Sequence, residues 1–246
     1  MTRQRVALVI PTLNEEAAIT GVIAAVPPDT VDRIIVVDSS SSDRTVERAE
    51  AAGAEVISLI QRGYGRACRA GAEAVADCDI VVFLDGDGSD CPELIPTLVA
   101  PIIEHRFDFV IGSRARGTRE PGSMTPHQLI AGRLLGAGMR LLYGVGYTDM
   151  GPFRAIRRDV LLRLGMREDT YGWNLEMQMR TAGGGLRILE LPVAHRRRAG
   201  GKSKVSGNLR GTVKASWRIL AAFLRIAAER THDRQAALPS AERPLR

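Results

Sequence analysis

Short apolar runs alternate with stretches of helical periodicity through the first half of the chain. The runs are continuously apolar and rich in β-branched residues, which is typical of strands buried on both faces of a sheet. Five strands are predicted in this way, over residues 6–10, 33–38, 55–60, 79–85 and 108–114. The stretches between them repeat their apolar positions with helical spacing and place acidic residues or proline where helices begin. This order predicts an α/β fold with a mainly parallel sheet flanked by helices.

Polar loops directly follow three of the predicted strands. They begin at Pro11, Asp38 and Asp85. The carboxyl ends of parallel strands meet at one edge of a sheet, and α/β proteins bind their ligands outside that edge. We therefore expect a ligand site where these three loops meet.

The loop after the fourth strand holds three carboxylates within six positions, Asp85, Asp87 and Asp90. Like charges this close repel, so a divalent cation, which favours clustered oxygen ligands, is one explanation. A strand that ends in an ordinary Asp-Gly turn is the other, and the residues alone leave both open. Asp90 is expected to cap the helix that follows Pro92.

Two common nucleotide-binding motifs are missing from the expected places. A dinucleotide site needs G-x-G-x-x-G after the first strand. The nearest match begins at Gly63, follows the third strand and has Cys68 in place of the last glycine. No Walker A sequence occurs either, so neither site is predicted.

Length and composition set the class of protein. The chain has 246 residues, of which 45% are hydrophobic, enough for one large domain with a sizeable core. Its three cysteines form no C-x-x-C pair, which argues against a disulfide framework or a zinc ribbon. No apolar run approaches the ~18 residues that span a membrane. We therefore expect a cytoplasmic protein, either free or held peripherally on the cytosolic face of a membrane.

Positive charge is concentrated at the end of the chain. Residues 195–246 contain 13 Lys and Arg against three Asp and Glu, whereas residues 1–194 carry a net charge of −4. A basic segment of this kind suits a phosphate-binding loop, a solvated loop or a nucleic-acid patch. The acidic body and the aromatic content of 4% argue against nucleic acid.

Two late segments have the pattern of a basic amphipathic helix. In the first, residues 127–144, Arg133 and Arg140 lie seven positions apart among Leu, Met and Gly. The second segment lies near the end of the chain. Lys214, Arg218 and Arg225 share one helical face, with Trp217 and Phe223 beside them. Such a helix suits the headgroup layer of an anionic membrane, and it equally suits a helix packed on the domain with its Arg face in water. The predicted organisation is a main domain over 1–208, this helix over 209–230 and a disordered tail over 231–246.

The ordered set of motifs resembles a known family. The segments are PTLNEE, VVDSSSSDRT, FLDGDGSDCPE, VIGSR, TDMGPFRAIRRDVL, YGWNLEMQMRTAGGGLRILELPV and RRRAGGKSKVSG. Together they resemble the inverting family 2 glycosyltransferases of GT-A fold, in particular the dolichol- and polyprenyl-phosphate hexosyl transferases. The resemblance covers residues 6–208 and makes 1–208 the expected catalytic domain.

This resemblance implies an activity. The enzyme would move glucose or mannose from a UDP- or GDP-sugar to a polyprenyl phosphate, with inversion and with Mg²⁺ or Mn²⁺. The same donor chemistry on a soluble small-molecule or glycan hydroxyl is one alternative. A non-catalytic basic binding protein is another alternative. The intact D-x-D motif, formed by Asp85 and Asp87, argues against it. The oligomeric state, the base and the hexose stay open.

The family motifs also imply roles for particular residues. The nucleotide sugar would contact Pro11, Asn14, Glu15, Asp38, Arg62, Gly63 and Asp85. The metal would be held by Asp85, Asp87 and Ser89. The acceptor and its phosphate would contact Arg114, Arg154, Arg198, Ser203 and Lys204. The family usually has a second acid at position 39 and glycine at position 40, so Ser39 and Ser40 put a nucleotide contact and the geometry of that turn in question.

The catalytic residues depend on the acceptor. A sugar hydroxyl needs a general base, whereas a lipid phosphate is already an anionic nucleophile. Glu176 occupies the family's acceptor-side acid position, and it could equally pair with Arg180 one helical turn later. Asp149 is expected to line the same pocket. His195 is interpreted as a packed or solvated histidine rather than a metal ligand.

Overall fold

A computed structural model of the chain describes residues 3–200, 217 and 219–229. The strands are β1 (Val6–Thr12), β2 (Arg33–Asp38), β3 (Glu55–Ser58), β4 (Ile80–Phe83), β5 (Phe109–Ser113), β6 (Arg154–Arg157) and β7 (Ile188–Pro192). The helices are α1 (Ile19–Ala24), α2 (Thr45–Ala51), α3 (Tyr64–Ala74), α4 (Ile95–Ile103), α5 (Pro126–Tyr143), α6 (Arg158–Arg163) and α7 (Trp173–Gly183). A short 3₁₀ turn, Pro92–Leu94, precedes α4. The predicted α/β class is confirmed.

The strands form one seven-stranded sheet in the order β3-β2-β1-β4-β6-β5-β7. β6 runs antiparallel to both of its neighbours, β4 and β5, and the other pairs are parallel. The five strands predicted from sequence are present, and the mainly parallel sheet is confirmed. β6 and β7 were not predicted from sequence.

Apolar layers cover both faces of the sheet. Every residue of β1 is buried, and alternate side chains enter opposite layers. Ala7 and Val9 pack in the layer shared with α3 and α7, whereas Leu8 and Ile10 pack in the layer shared with α1 and α4. Because β1 is buried on both sides, its polar extension can reach solvent only beyond its carboxyl end.

The strand register aligns the three polar loops. Thr12 in β1 pairs with Asp38 in β2, and Val9 pairs with Phe83 in β4. The segments after Thr12, Asp38 and Phe83 therefore leave the sheet at the same edge, as the sequence predicted.

The last described part of the chain is helical at residue 217 and over 219–229, which we call the C-terminal helical segment. Ala222 and Ile226 are buried in the layer beside α7, so one face of the segment packs on the domain. The remaining residues of the predicted 209–230 helix and the predicted tail over 231–246 lie outside the described residues. In the described part of the chain, no helix is long and apolar enough to cross a membrane.

Candidate active site

Asp38 ends β2 and holds the turn that follows it. Its carboxylate accepts hydrogen bonds from the Thr12 hydroxyl (3.3 Å), the Ser41 amide (2.8 Å) and the Ser41 hydroxyl. The side chain is buried. Asp38 therefore lies at the predicted edge, but its oxygens are used within the turn, and its contact with a nucleotide base stays a prediction.

The loop after β1 is joined to the same turn. The Asn14 amide donates to the Ser41 hydroxyl, and the Asn14 side-chain oxygen accepts from the Ser42 amide, both at 2.8 Å. The Glu15 amide donates to the Thr45 hydroxyl at 2.8 Å. Pro11 is buried at the end of β1. These bonds fix the first two loops of the edge as one unit.

Ser40 adopts the left-handed backbone conformation that glycine adopts most readily, with φ of +60°. Its hydroxyl donates to the carbonyl oxygens of Leu59 (2.7 Å) and Ile60 (3.0 Å). The hydroxyl contacts offset part of the strain of a side chain in this region. The turn therefore keeps a glycine-like shape without a glycine.

Gly63 allows close packing between the start of α3 and residues 168–169. A side chain there would place its Cβ 2.5 Å from the Asp169 carbonyl oxygen, and one at Gly65 would place it 2.1 Å from the Glu168 carbonyl oxygen. Both glycines let the start of α3 approach residues 168–169. Arg62 is exposed and donates to the Ser40 carbonyl at 3.2 Å.

The D-x-D loop leaves β4 beside these loops. The Asp85 Oδ1 atom is buried and has no hydrogen-bond partner among the described residues. Burial, together with the charges of Asp87 and Asp90, raises the pKa of Asp85 well above its ordinary value. Asp87 is buried, and its Oδ1 accepts from the Ser89 amide at 2.8 Å. Negative charge in this loop is therefore only partly compensated by the protein.

Asp90 does not cap the following helix, so that expectation was wrong. Cys91 occupies the cap position. The Asp90 carboxylate turns back instead, accepting from the Asp85 amide at 3.0 Å and lying 3.8 Å from His195 Nδ1. Burial raises the pKa of Asp90 to about 7. The third acid thus supports the D-x-D loop itself.

His195 is a packed histidine, as the sequence analysis expected. It is buried against the D-x-D loop, and its Nδ1 has no hydrogen-bond partner in the described part of the chain. Burial, and then the charge of Arg114, lower the pKa of His195 to about 4, so the ring is neutral at physiological pH. A neutral imidazole beside carboxylates is a competent metal ligand. It follows β7 closely, so recognising β7 in the sequence would have placed it at this edge.

Arg198 joins the basic segment to two loops of the edge. Its Nη1 donates to Asp87 Oδ2 at 2.7 Å, and its Nη2 lies 2.8 and 2.9 Å from the two carboxylate oxygens of Glu15. The Ala199 amide donates to the Asp87 carbonyl at 3.0 Å. The structure therefore brings Arg198 to the carboxyl edge of the sheet. Ser203 and Lys204 lie outside the described residues.

Arg114 and Asp149 form a bidentate pair next to this edge. Arg114 donates to Asp149 from Nε (2.7 Å), from Nη2 (2.9 Å) and from its backbone amide (2.9 Å). Burial alone would raise the pKa of Asp149, but the Arg114 charge and hydrogen bonds hold that pKa below its ordinary value. The carboxylate is therefore ionised and held by arginine, which makes it a weak proton acceptor.

Arg154 lies inside the domain, on β6. Its side chain is 0% exposed, and it donates to the carbonyl oxygens of Gly151 and Asn174. The guanidinium also lies 5.8 Å from the centre of the Phe109 ring. The antiparallel strand that the sequence analysis missed points this arginine into the core. In this arrangement Arg154 holds the start of α7 through the Asn174 carbonyl, and its contact with an acceptor phosphate stays a prediction.

Glu176 is likewise enclosed, in the first turn of α7. Its side chain is 0% exposed. One carboxylate oxygen accepts from Arg180 Nε at 2.8 Å, and the other accepts from the amides of Arg167 (2.9 Å) and Glu168 (2.6 Å). The pairing with Arg180 is the alternative that the sequence left open. The catalytic role of Glu176 stays a prediction, and these contacts favour a role in holding residues 167–168.

The carboxyl edge of the sheet carries some, but not all, of the ligands that a divalent cation needs. No group of three or more His, Cys, Asp or Glu side chains within the described residues is arranged to hold a metal. The unpartnered Asp85 oxygen and the incompletely compensated acid loop nevertheless fit a cation. Mg²⁺ in particular is often held by one or two carboxylates together with substrate phosphates. Asp85 and Asp87 are the fitting ligands, with His195 beside them, whereas Ser89 contributes its backbone amide to Asp87.

The sheet, with its D-x-D loop at the carboxyl edge, defines a glycosyltransferase of GT-A fold. The protein belongs to glycosyl transferase family 2, whose model matches residues 7–165. The family resemblance and the assignment as a hexosyltransferase enzyme are confirmed.

Three similar proteins illustrate the range of the family. An uncharacterized glycosyltransferase of Mycobacterium tuberculosis is 36% identical over 225 residues, covering 89% of this chain and 100% of the relative. The undecaprenyl-phosphate mannosyltransferase of Micrococcus luteus is 33% identical over 227 residues, covering 84% of this chain and 90% of that protein. Glucosyl-3-phosphoglycerate synthase from Mycobacterium tuberculosis, crystallised with Mn²⁺, UDP and glucosyl-3-phosphoglycerate, has a TM-score of 0.73 and 26% identity. That match covers 92% of this chain and 80% of the synthase.

Proposed function

We propose that the protein transfers a hexose, glucose or mannose, from a UDP- or GDP-sugar to a polyprenyl phosphate with inversion, at the cytosolic face of a membrane. The observation that carries this proposal is the convergence of Asp85, Asp87 and Arg198 at the carboxyl edge of the sheet. Acids for a cation and an arginine for phosphate are the two charges that a nucleoside diphosphate requires.

At the donor side, Asp85 and Asp87 would hold Mg²⁺ or Mn²⁺ together with the diphosphate. When bound, the cation would neutralise the charge that develops on the leaving nucleoside diphosphate. Arg198 lies within reach of the same region and would add a second positive charge there. Residues 11–15 and the turn after Asp38, held together by the Asn14 contacts, would form the wall beside the nucleotide.

At the acceptor side, the state of the acids supports a phosphate nucleophile. Glu176 and Asp149 are each held by an arginine and by backbone amides. A hydroxyl acceptor would need one of them released as a base, whereas a phosphate oxygen can attack the anomeric carbon directly as the nucleoside diphosphate leaves. Attack on the face opposite the leaving group gives inversion. The similarity to an undecaprenyl-phosphate mannosyltransferase supports a lipid phosphate.

A second candidate acceptor is a soluble phosphorylated molecule. The structure of glucosyl-3-phosphoglycerate synthase with its product supports this alternative. Both candidates present a phosphate to the same positively charged residues, but the soluble acceptor would attack through a hydroxyl, whose proton a base such as Glu176 or Asp149 would have to accept.

The test is a matrix of donors and acceptors. UDP-glucose, UDP-galactose, GDP-mannose and GDP-glucose are each incubated with Mn²⁺ or Mg²⁺ and with a short polyprenyl phosphate in detergent, 3-phosphoglycerate or a neutral sugar. Transfer to the polyprenyl phosphate supports the proposal, and transfer only to phosphoglycerate supports the second candidate. Transfer only to the neutral sugar contradicts both.

Two variants control for the site. Asp87→Asn should abolish transfer with every acceptor while the thermal melting curve stays cooperative. Glu93→Gln, an exposed acid that pairs with Arg196 near the same loop, should retain transfer. Equal loss in both variants would contradict the assignment of the D-x-D.

A further inference from the structure

Exposed large apolar side chains are concentrated on two helices. Seven of the ten such residues in the described part of the chain lie on α5 or on the C-terminal helical segment. They are Ile130, Leu134, Leu141 and Leu142 on α5, and Trp217, Leu220 and Leu224 on the segment. We call these seven residues the apolar two-helix face. Large apolar patches on a protein surface mark sites of interaction.

α5 buries mainly small residues and exposes large apolar ones, which is the opposite of a common surface helix. Its inward face carries small residues, and a side chain at Gly136 would place its Cβ 1.9 Å from the Tyr147 carbonyl oxygen. Its outward face carries Leu134 (69% exposed) and Leu141 (87% exposed). The helix therefore packs closely through glycine and turns its leucines toward the surroundings.

The charge on α5 has a single sign. The 18 residues of the helix include no Asp or Glu, whereas Arg133 and Arg140 are both exposed on it. Neither arginine has an ion-pair partner among the described residues. Exposed leucines with interspersed unpaired arginines are typical of helices that lie in the headgroup layer of an anionic membrane.

The two helices adjoin each other. A Cβ at Gly138 would lie 3.1 Å from the Phe223 ring, so the C-terminal helical segment packs directly against α5. Trp217 is 70% exposed at the start of the segment. Tryptophan suits the boundary between headgroups and acyl chains, since its ring is apolar and its N–H is polar.

The cations on the C-terminal helical segment differ from the sequence expectation. Arg225 pairs with Glu229 at 3.0 Å and with Glu168 at 3.4 Å, so it is engaged within the domain. Lys214 and Arg218 lie outside the described residues. Among the described residues, the unpaired positive charge beside the apolar two-helix face comes from Arg133 and Arg140.

We propose that the apolar two-helix face docks on the surface of an anionic lipid bilayer, with α5 lying in the headgroup layer. A second copy of the chain is the main competing occupant. A symmetric contact through α5 would bring Arg133 and Arg140 of both copies together, and α5 has no acid to pair with them. Anionic headgroups supply the missing negative charge.

This placement also has a consequence for the acceptor side. α5 packs on the segment that carries Asp149, because a Cβ at Gly132 would lie 3.4 Å from the Thr148 carbonyl oxygen. Asp149 in turn holds Arg114. A bilayer beneath α5 would therefore lie next to the predicted acceptor residues. Docking does not depend on the proposed acceptor, because lipid binding is measured without donor, metal or transfer.

The test uses the full-length protein and vesicles of phosphatidylcholine, with or without phosphatidylglycerol. At low salt the wild type should co-sediment with the anionic vesicles and much less with the neutral ones. Arg133→Gln with Arg140→Gln should weaken partitioning by about fivefold for each arginine. Leu134→Ser with Leu141→Ser should weaken it at least about tenfold.

Matched controls separate this face from other surfaces. Ile60→Ser with Leu162→Ser makes the same kind of change at exposed apolar positions outside the face, and it should leave partitioning unchanged. All variants are exposed substitutions, and circular dichroism and melting curves check that they fold. The leucine variants also distinguish the face from the basic residues of the chain end, which all variants keep.

Three results would overturn the proposal. The first is a wild-type protein that ignores anionic vesicles at low salt. The second is equal loss of binding in the control variant. The third is a dimer, seen by analytical ultracentrifugation, that Leu134→Ser with Leu141→Ser converts to monomer while vesicle binding is unaffected. Failure of the donor and acceptor matrix would leave the vesicle result standing, so the two proposals fail separately.

Discussion

Arg198 donates to the Asp87 carboxylate at 2.7 Å, which joins the basic segment to the D-x-D loop across 111 positions of sequence. The same guanidinium holds Glu15. Arg198 is therefore the counter-ion of Asp87 in the free protein. It occupies the position where a bound metal ion and the diphosphate would lie. A cation bound by Asp87 would therefore compete with Arg198 for the same carboxylate.

Replacing Arg198 by Ala should change the stability of the free protein and the affinity for Mn²⁺ in opposite directions. The variant removes the guanidinium that contacts the buried acids Asp87 and Glu15, which should lower the free energy of unfolding by about 1–3 kcal/mol in the absence of metal. Mn²⁺ should bind the free variant more tightly, because it no longer competes with the arginine for Asp87. Calorimetric titration with Mn²⁺ and urea denaturation measure the two quantities.

Arg197→Ala is the matched control, since Arg197 is exposed and its acid partner Glu120 is 3.8 Å away. It should change neither quantity appreciably. Weaker Mn²⁺ binding in Arg198→Ala would show that the arginine supports the metal site rather than competing for it.

Glu176→Gln tests whether Glu176 acts as a general base or stabilises the structure around residues 167–168. The enclosed carboxylate predicts a loss of about 1–3 kcal/mol in unfolding free energy, because Arg180 and two amides lose a charged acceptor. It also predicts a small change in kcat at temperatures where the variant is folded. A general base would instead lower kcat by ~10²–10⁴ with stability little changed. Steady-state kinetics and denaturation curves on the same preparation decide between the two.

Substitutions at Ser40 test how the chain accommodates a serine with positive φ. Ser40→Ala keeps the side chain at positive φ and loses the hydroxyl contacts, so it should destabilise by about 1–2 kcal/mol. Ser40→Gly loses the same contacts but relieves the backbone, and the two effects should nearly cancel. Equal destabilisation by both substitutions, measured in urea, would show that the backbone at this turn is not strained.

The Arg114–Asp149 pair predicts a dependence of stability on pH. The folded pKa of Asp149 is lowered, so its contribution is present above the unfolded value near 4 and is lost as pH falls through the folded pKa. Asp149→Asn should therefore be less stable than wild type by about 3 kcal/mol at pH 7, since it leaves Arg114 buried without its counter-ion. The difference should shrink progressively below about pH 4. Denaturation curves from pH 7 to 3 test this, and a difference that is constant with pH would contradict it.

The sequence by itself determined the α/β class, the first five strands and the edge where the site lies. A short apolar run rich in β-branched residues, such as residues 34–37, is typical of a buried strand, and the polar residue that ends it leaves the sheet at its carboxyl end. Asp38, Asp85 and Asp87 follow from this local rule. The family was also recognisable, because its motifs are short segments whose order along the chain is itself informative.

Only the tertiary structure decided which charged side chains are buried and which partners they contact. β6 has four residues and an arginine at each end, so its pattern is too short to predict a strand, yet its insertion between β4 and β5 buries Arg154. Glu176 lies between Leu175 and Met177 in the sequence, whereas Arg198 ends a run of three arginines. Glu176 is enclosed by segments before it, whereas Arg198 reaches an acid 183 positions away. Apart from Arg180, which lies one helical turn from Glu176, these partners are set by long-range packing, which no local pattern of residues encodes.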